Sequence, residues 1–317
     1  MPFNMLLEKA LKKGRSGMLR IRLHGRGGQG IKTAGQILGT AGFLSGWYAQ
    51  DFPLYGAERR GAPIVAFNRF DKNEILERGA IARPDLILVG DETLLGDNIA
   101  NPLAGADATT RIFINSSHPP YELKEHFDLV AEPAVTNLSD LCLNHIQKES
   151  ILSTALAAAG ARLTGRIGLK TLQEAVGLEM KSVVGEELCQ KNLALADEVF
   201  NATSPTSLSE NKSGVIATST LVIMKQEDVA QAAPLILAES NMRLRRTGNW
   251  RTHRPEINYE QCNKCWICFA RCPDGAVGID DESRPTIDYD HCKGCLICVE
   301  ECPKETITVS RETTSWT

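Results

Sequence analysis

Eight of the ten cysteines in this 317-residue chain fall between Cys262 and Cys302. They form two copies of one spacing, Cys262-x2-Cys265-x2-Cys268-x3-Cys272-Pro273 and Cys292-x2-Cys295-x2-Cys298-x3-Cys302-Pro303. Three thiolates so spaced wrap a tight loop around three corners of an iron–sulfur cube, while the fourth opens the next segment and reaches the other cluster. The spacing therefore predicts two [4Fe–4S] clusters. One takes Cys262, Cys265, Cys268 and Cys302, and the other takes Cys292, Cys295, Cys298 and Cys272. Zinc is the alternative metal, but it prefers paired Cys-x2-Cys knuckles and gives no reason for a third cysteine or for the Cys-Pro pair. A disulfide framework belongs to secreted chains. The opening residues 1–9 carry an acid inside a short apolar stretch and no small-residue cleavage site, so a cytoplasmic protein is expected. An oxidised cluster bears a net charge of about −2, so its sulfurs need backbone N–H groups and shielding. Trp266, Ile267 and Phe269 are expected to shield the first cluster, or to be simply the core of a small module. The isolated Cys142 and Cys189 sit in apolar helical segments and read as buried thiols.

A second candidate site is the run Gly25-Arg26-Gly27-Gly28-Gln29-Gly30, between a strand pattern and a helix pattern. Unhindered N–H groups at a helix start accept phosphate or another anion. The run matches G-x-G-x-x-G, with Asp51 about twenty residues on, as in a dinucleotide site. Phe52 and Pro53 are unusual where a second strand should lead to a ribose-binding acid. Nicotinamide, a different anionic ligand, a partner's active site and a purely structural turn all remain open. Arg59 and Arg60 are further binding candidates, or pair with Glu58 or Asp51.

Residues 19–23 alternate as a strand, and 31–44 read as a helix. The runs 64–67, 86–89 and 111–114 are short and apolar, as expected of buried strands in a mainly parallel sheet. Helical spacing fills 151–161, 169–176 and 188–200. The layout is an α/β doubly wound, Rossmann-like domain over 19–201, after an N-terminal extension, 1–18. A Ser/Thr/Pro-rich linker and a connecting arm occupy 202–254, with a strand-like run at 221–224 and a helix-like one at 234–238. The cysteine module, 255–317, repeats itself, since residues 259–279 align without a gap on 289–309. That is the pattern of an α+β bacterial-type 2[4Fe–4S] ferredoxin domain. Net charge is −4 with both signs interleaved, which gives no reason to expect nucleic acid or a membrane surface. Nor does any apolar run approach the roughly 18–20 residues of a membrane span.

Two longer motifs carry a family resemblance. His24-Gly25-Arg26-Gly27-Gly28-Gln29-Gly30, residues 51–63 (DFPLYGAERRGAP) and Ala66-Phe67-Asn68-Arg69 resemble the gamma subunit of the 2-oxoacid:ferredoxin oxidoreductases. Residues 247–255 (TGNWRTHRP), leading into the cysteine repeat, resemble the delta, ferredoxin-like subunit of those enzymes. The fused layout most resembles the corresponding chain of oxalate oxidoreductase, and a pyruvate enzyme is also compatible. The resemblance implies decarboxylation of a 2-oxoacid on thiamine diphosphate, with single electrons leaving through [4Fe–4S] clusters to soluble ferredoxin. Thiamine diphosphate and its magnesium need Gly-Asp-Gly and a later Asn. Gly90-Asp91-Glu92 and Gly96-Asp97-Asn98 do not fit, so that site is expected on alpha- and beta-type partner chains. This chain then carries no catalytic residue, has coenzyme A as a candidate ligand near the glycine loop, and works in a dimerised complex. Two rival readings are a self-contained NAD(P)H-dependent iron–sulfur reductase and a non-enzymatic binding protein with a ferredoxin tail.

Overall fold

The computed structural model describes residues 17–54, 61–97, 100–148, 151–205 and 246–312. Arg59, Arg60, most of the N-terminal extension and the runs 221–224 and 234–238 lie outside the described residues. The described residues up to 205 belong to one compact unit and those of 246–310 to a second.

In the first unit, β1 (Leu19–Arg26) leads into α1 (Ile31–Leu44), then β2 (Tyr48–Leu54) and β3 (Pro63–Asp71). Next come β4 (Leu86–Val89), β5 (Arg111–Asn115), α2 (Pro120–His126) and β6 (Ala134–Thr136). Four helices follow: α3 (Leu138–Ile146), α4 (Ser153–Thr164), α5 (Leu169–Val184) and α6 (Glu186–Ala202). The strands form one sheet in the order β2-β3-β1-β4-β5-β6.

β1, β4, β5 and β6 run parallel, but β3 is antiparallel to both β1 and β2. The strand expected at 64–67 is present, and it runs against the parallel majority. The short link 55–62 cannot make the crossover of a dozen or more residues that a parallel return needs, so β3 folds back beside β2. β4 shows why a wholly apolar run belongs at the centre. Leu86 and Leu88 face one core with α1, α4 and α6, and Ile87 and Val89 face the other with Leu123 of α2. The alternation puts helices on both faces.

Closeness is set by small residues. A Cβ at Gly42 of α1 would run into the Phe70 ring, and one at Gly39 would lie 2.9 Å from the Asp51 carboxylate. The alanine-rich α4 is buried on nearly every side, its small residues letting neighbours pack closely all round it.

The second unit contains β7 (His253–Ile257), α7 (Ile267–Arg271), β8 (Val277–Ile279) and β9 (Pro285–Ile287). It ends with α8 (Ile297–Glu300) and β10 (Ile307–Arg311). The strands pair as β7 with β10 and β8 with β9, so each ribbon takes one strand from each repeat. Its core contains Cys268 with Cys298, Cys272 with Cys302, Val277 with Ile307 and Ile257 with Ile287, each pair offset by the 30-residue repeat. Trp266 and Phe269 are 44% and 47% exposed, which corrects the expectation that they supply this core. Among the described residues no helix is long and apolar enough to cross a membrane.

Candidate functional site

The cysteine loops owe their shape to left-handed residues at matched places. Lys264 and Trp266 in the first, and Gly294 and Leu296 in the second, have φ between 57° and 66°. Left-handed residues set among right-handed ones turn successive N–H groups inward and form a concavity that suits an anion. A non-glycine residue in this conformation costs roughly 1–2 kcal/mol. Trp266 and Leu296 then begin α7 and α8.

Cys262, Cys265, Cys268 and Cys302 line one cavity of about 320 Å³, counting the solvent at its mouth. Three of these come from the first repeat and one from the second. Trp266, Ile267, Pro303 and Thr306 complete much of the wall, while Phe269 stands outside it. Cys272 is close enough to Cys292 and Cys298 to influence the acidity of both, as Cys268 is for Cys298, so the two sets lie near each other. All eight thiols are free of disulfides. Among the described residues no group of three or more His, Cys, Asp or Glu closes on a single ion. The sulfurs of the first set line a cavity, which fits a four-iron cube.

The chemistry of the donors fits as well. Burial, reinforced by neighbouring cysteines, pushes the Cys298 thiol up to about 12 and raises those of Cys268 and Cys292. Such a set gives up its protons together when a cationic core takes their place. Cys302 differs: against the opposing pull of burial, hydrogen bonds from the Thr306 side chain and nearby amides lower its thiol. Ala276 N–H donates to Cys272 Sγ at 3.3 Å, and Thr306 Oγ1 lies 3.5 Å from Cys302 Sγ, at the equivalent place in the repeat.

Residues 247–251, which the sequence places in a connecting arm, pack onto the second cysteine loop. Thr247 Oγ1 donates to the His291 carbonyl at 2.5 Å, and Gly248 N–H to that of Asp290 at 2.8 Å. Arg251 Nη1 donates to the carbonyls of Tyr289 and Cys292, both at 2.8 Å. The Arg254 guanidinium lies 3.6 Å from the Tyr289 ring centre, and Arg284 lies 5.6 Å from that of Tyr259. Each arginine thus covers the other repeat's tyrosine. Extending the repeat alignment back to Arg254-Pro255 and Arg284-Pro285 would have exposed this exchange.

In the first unit the glycine loop lies between the carboxyl ends of β1 and β4, where the two halves of an open sheet diverge and ligands commonly bind. Its polar side chains are turned inward. Arg26, 1% exposed, donates to Asp91 Oδ2 at 3.1 Å and to Thr93 Oγ1, and Gln29 Nε2 donates to the same carboxylate oxygen at 3.0 Å. Several loop amides are engaged too: Arg26 N–H with Gln29 Oε1, Gly27 N–H with the Ala62 carbonyl and Gln29 N–H with that of Arg26. Gly28, at φ +98°, and Gly30, at φ +78°, hold the turn, and a Cβ at Gly30 would lie 2.9 Å from that of Ser153. His24, immediately before the loop, is held neutral, its imidazole pushed down to about 3 by burial and by Arg22. Asp91 and Thr93 were missed from sequence. Their signal was their place after β4, the parallel neighbour of β1. Asp51 sits on β2, separated from β1 by β3, and faces the middle of α1 instead of the glycine loop. That is no place for a ribose-binding acid.

Comparison with known proteins gives two matches along the chain. Residues 20–202 match the pyruvate ferredoxin/flavodoxin oxidoreductase family, and residues 254–303 match a 4Fe–4S dicluster domain. The chain is 37% identical over 189 residues to the pyruvate/ketoisovalerate oxidoreductases common subunit gamma of Thermococcus kodakarensis, covering 59% of this chain and 97% of that one. It is 35% identical to pyruvate synthase subunit PorC of Methanocaldococcus jannaschii, over 58% and 96% of the two chains. The crystal structure of pyruvate oxidoreductase subunit PORC from Thermotoga maritima superimposes with a TM-score of 0.50 at 29% identity, covering 58% of this chain and 96% of that one. This chain belongs to the pyruvate ferredoxin/flavodoxin oxidoreductase family, as a gamma-type domain fused to a 4Fe–4S dicluster domain.

Proposed function

We propose that this chain is the electron-relay subunit of a thiamine-diphosphate-dependent 2-oxoacid:ferredoxin oxidoreductase. The observation that carries the reading is the cavity that Cys302 of the second repeat lines together with Cys262, Cys265 and Cys268 of the first. When bound, two [4Fe–4S] clusters supply one-electron storage and transfer. The chain holds them on Cys262, Cys265, Cys268 and Cys302, and on Cys292, Cys295, Cys298 and Cys272. Amides turned inward by the left-handed residues offset the negative charge, and Trp266 and Ile267 keep water from one side of the first set.

Bond chemistry on the 2-oxoacid is assigned to alpha- and beta-type partner chains, where thiamine diphosphate and magnesium sit. The occupied Asp91 carboxylate supports this, because its bonds to Arg26, Gln29 and Thr93 leave it no role as a metal anchor. Of the glycine loop, the exposed Gly28 with Gly27 and Gly30 beside it faces the partner's active site or a coenzyme A molecule, while Gly25, Arg26 and Gln29 shape the loop from within, and Arg59 and Arg60 are candidate contacts for the same ligand. Soluble ferredoxin is the acceptor, and the complex is dimerised. The names of the relatives favour a pyruvate-type substrate, and the fused layout favours oxalate.

Purification of the complex from its native host tests the reading. Co-purifying chains that carry thiamine diphosphate are expected, with about eight irons and eight acid-labile sulfides on this chain. Stoichiometric zinc with little iron would overturn it. Reduction of the clusters by pyruvate or by oxalate identifies the substrate.

A further inference from the structure

We infer that the Thr306 hydroxyl raises the reduction potential of the cluster on Cys262, Cys265, Cys268 and Cys302 by donating to the Cys302 sulfur. The inference rests on the electron-relay reading, and within it on the cysteine set that lines the first cavity. After the last cysteine of each repeat the chain makes the same turn. Gly275 N–H returns to the Cys272 carbonyl at 3.3 Å, and Glu305 N–H to that of Cys302 at 3.1 Å. Gly275 and Glu305 are both left-handed, at φ +62° and +51°. The turn aims the next amide back at the cysteine, Ala276 N–H at Cys272 Sγ and Thr306 N–H at Cys302 Sγ. There the repeats part. Position 276 is alanine, whereas position 306 is threonine, with its Oγ1 3.5 Å from Cys302 Sγ.

A thiol and a hydroxyl can each donate to the other. A thiolate on iron has no proton to give, so with a cluster bound the hydroxyl is the donor. Thr306 is 4% exposed and lines the same cavity as Cys302, which strengthens the bond and keeps bulk water from competing for it. One electron arriving on the bound cluster adds one negative charge, spread in part over its sulfurs. A hydrogen bond strengthens as its acceptor gains charge, so the hydroxyl favours the reduced state. Ala276 offers the Cys272 sulfur an amide and no hydroxyl. Charged side chains act on both clusters as well. Lys264 stands on the first loop, its Nζ donating to the Glu282 carbonyl at 2.9 Å. By the second loop are Arg251, bonded to the Cys292 carbonyl, and Lys293, paired with Asp274. Thr306→Val leaves every one of these charges in place and removes the hydroxyl from a side chain of nearly the same shape.

The test is an anaerobic redox titration of the reconstituted full chain, reduced with dithionite and followed by electron paramagnetic resonance. The signal altered in Cys265→Ser identifies the first cluster. Thr306→Val should lower the potential of that cluster alone, with iron and sulfide content unchanged. At a fixed applied potential its reduced-to-oxidised ratio should fall by up to about tenfold, which is about 59 mV for one electron. Thr306→Ser keeps the hydroxyl and should restore most of the wild-type value. Unmoved potentials in Thr306→Val would overturn the inference, as would an equal drop in both clusters or the same drop in Thr306→Ser. If Thr306→Val fails to assemble the first cluster, Thr306→Ala replaces it with the same expected drop, since the fold already accepts alanine at 276. Failure of both to assemble would make Thr306 a residue of cluster assembly and overturn its role in setting the potential. A wild-type iron content below two clusters would instead overturn the relay reading, and this inference with it.

Discussion

Cys272 and Cys302 stand at equivalent places in the two repeats, and the proposed ligand sets give each to the half of the module it does not belong to. Cys302 lines the cavity of the first loop, and Cys272 neighbours Cys292 and Cys298 of the second. Cys272→Ala should therefore damage the cluster on Cys292, Cys295 and Cys298 and spare the one on Cys262, Cys265 and Cys268. Combining Cys272→Ala with Cys295→Ser locates the damage. If the double variant loses no more signal than either single one, both cysteines serve one cluster. Loss of both clusters in the double variant alone would refute the exchange. These ligands are legible in the sequence because cluster ligation is a matter of local spacing. Asp91 is not legible. Its worth lies in gathering Arg26 and Gln29, more than sixty positions away, and only the parallel pairing of β1 with β4 brings them together. Arg251 escaped notice for the same reason, since the carbonyls it serves lie in the second repeat.

At the level of elements, the helix 31–44 could be read directly because it carries a continuous helical pattern. β2 and the direction of β3 could not, because direction follows from the length of the link and from the sheet that receives the strand. What α1 needs from its sequence is closeness. Gly35, Gly39 and Gly42 lie along one side of it and meet Ala66, Asp51 and Phe70. Gly42→Ala gains helix propensity but drives a methyl into the Phe70 ring, which is fully buried and has no free direction to move. Overpacking of this kind typically costs about 1–3 kcal/mol. Gly177→Ala, in the interior of α5 with open space at its Cβ, should instead stabilise by up to about 1 kcal/mol. Denaturant unfolding of the two variants separates the effects. Equal midpoints for the two would show that close approach of α1 to the sheet does not limit packing.

For the whole molecule, the division of labour makes the sharpest claim. The proposed relay leaves activation of the carbonyl to partner chains, and two acids among the described residues bear on that proposal. The diphosphate of thiamine is held through a magnesium ion, which takes oxygen ligands in near-octahedral geometry and needs a free carboxylate facing an open site. Asp91 is 8% exposed and bonded to Arg26, Gln29 and Thr93, and Asp97 is 7% exposed and receives the Ala100 N–H. Freeing either would abandon a buried hydrogen-bonded arrangement, typically at a cost of about 1–3 kcal/mol or more for a charged group. The reconstituted chain alone should therefore show no saturable binding of thiamine diphosphate and magnesium by calorimetry. It should release no carbon dioxide from pyruvate or oxalate, although dithionite reduces its clusters. Adding the partner chains should restore reduction of those same clusters by the 2-oxoacid, which distinguishes a missing active site from a damaged relay. Carbon dioxide release by this chain alone, at a rate near that of the assembled complex, would place the chemistry here and end the subunit assignment.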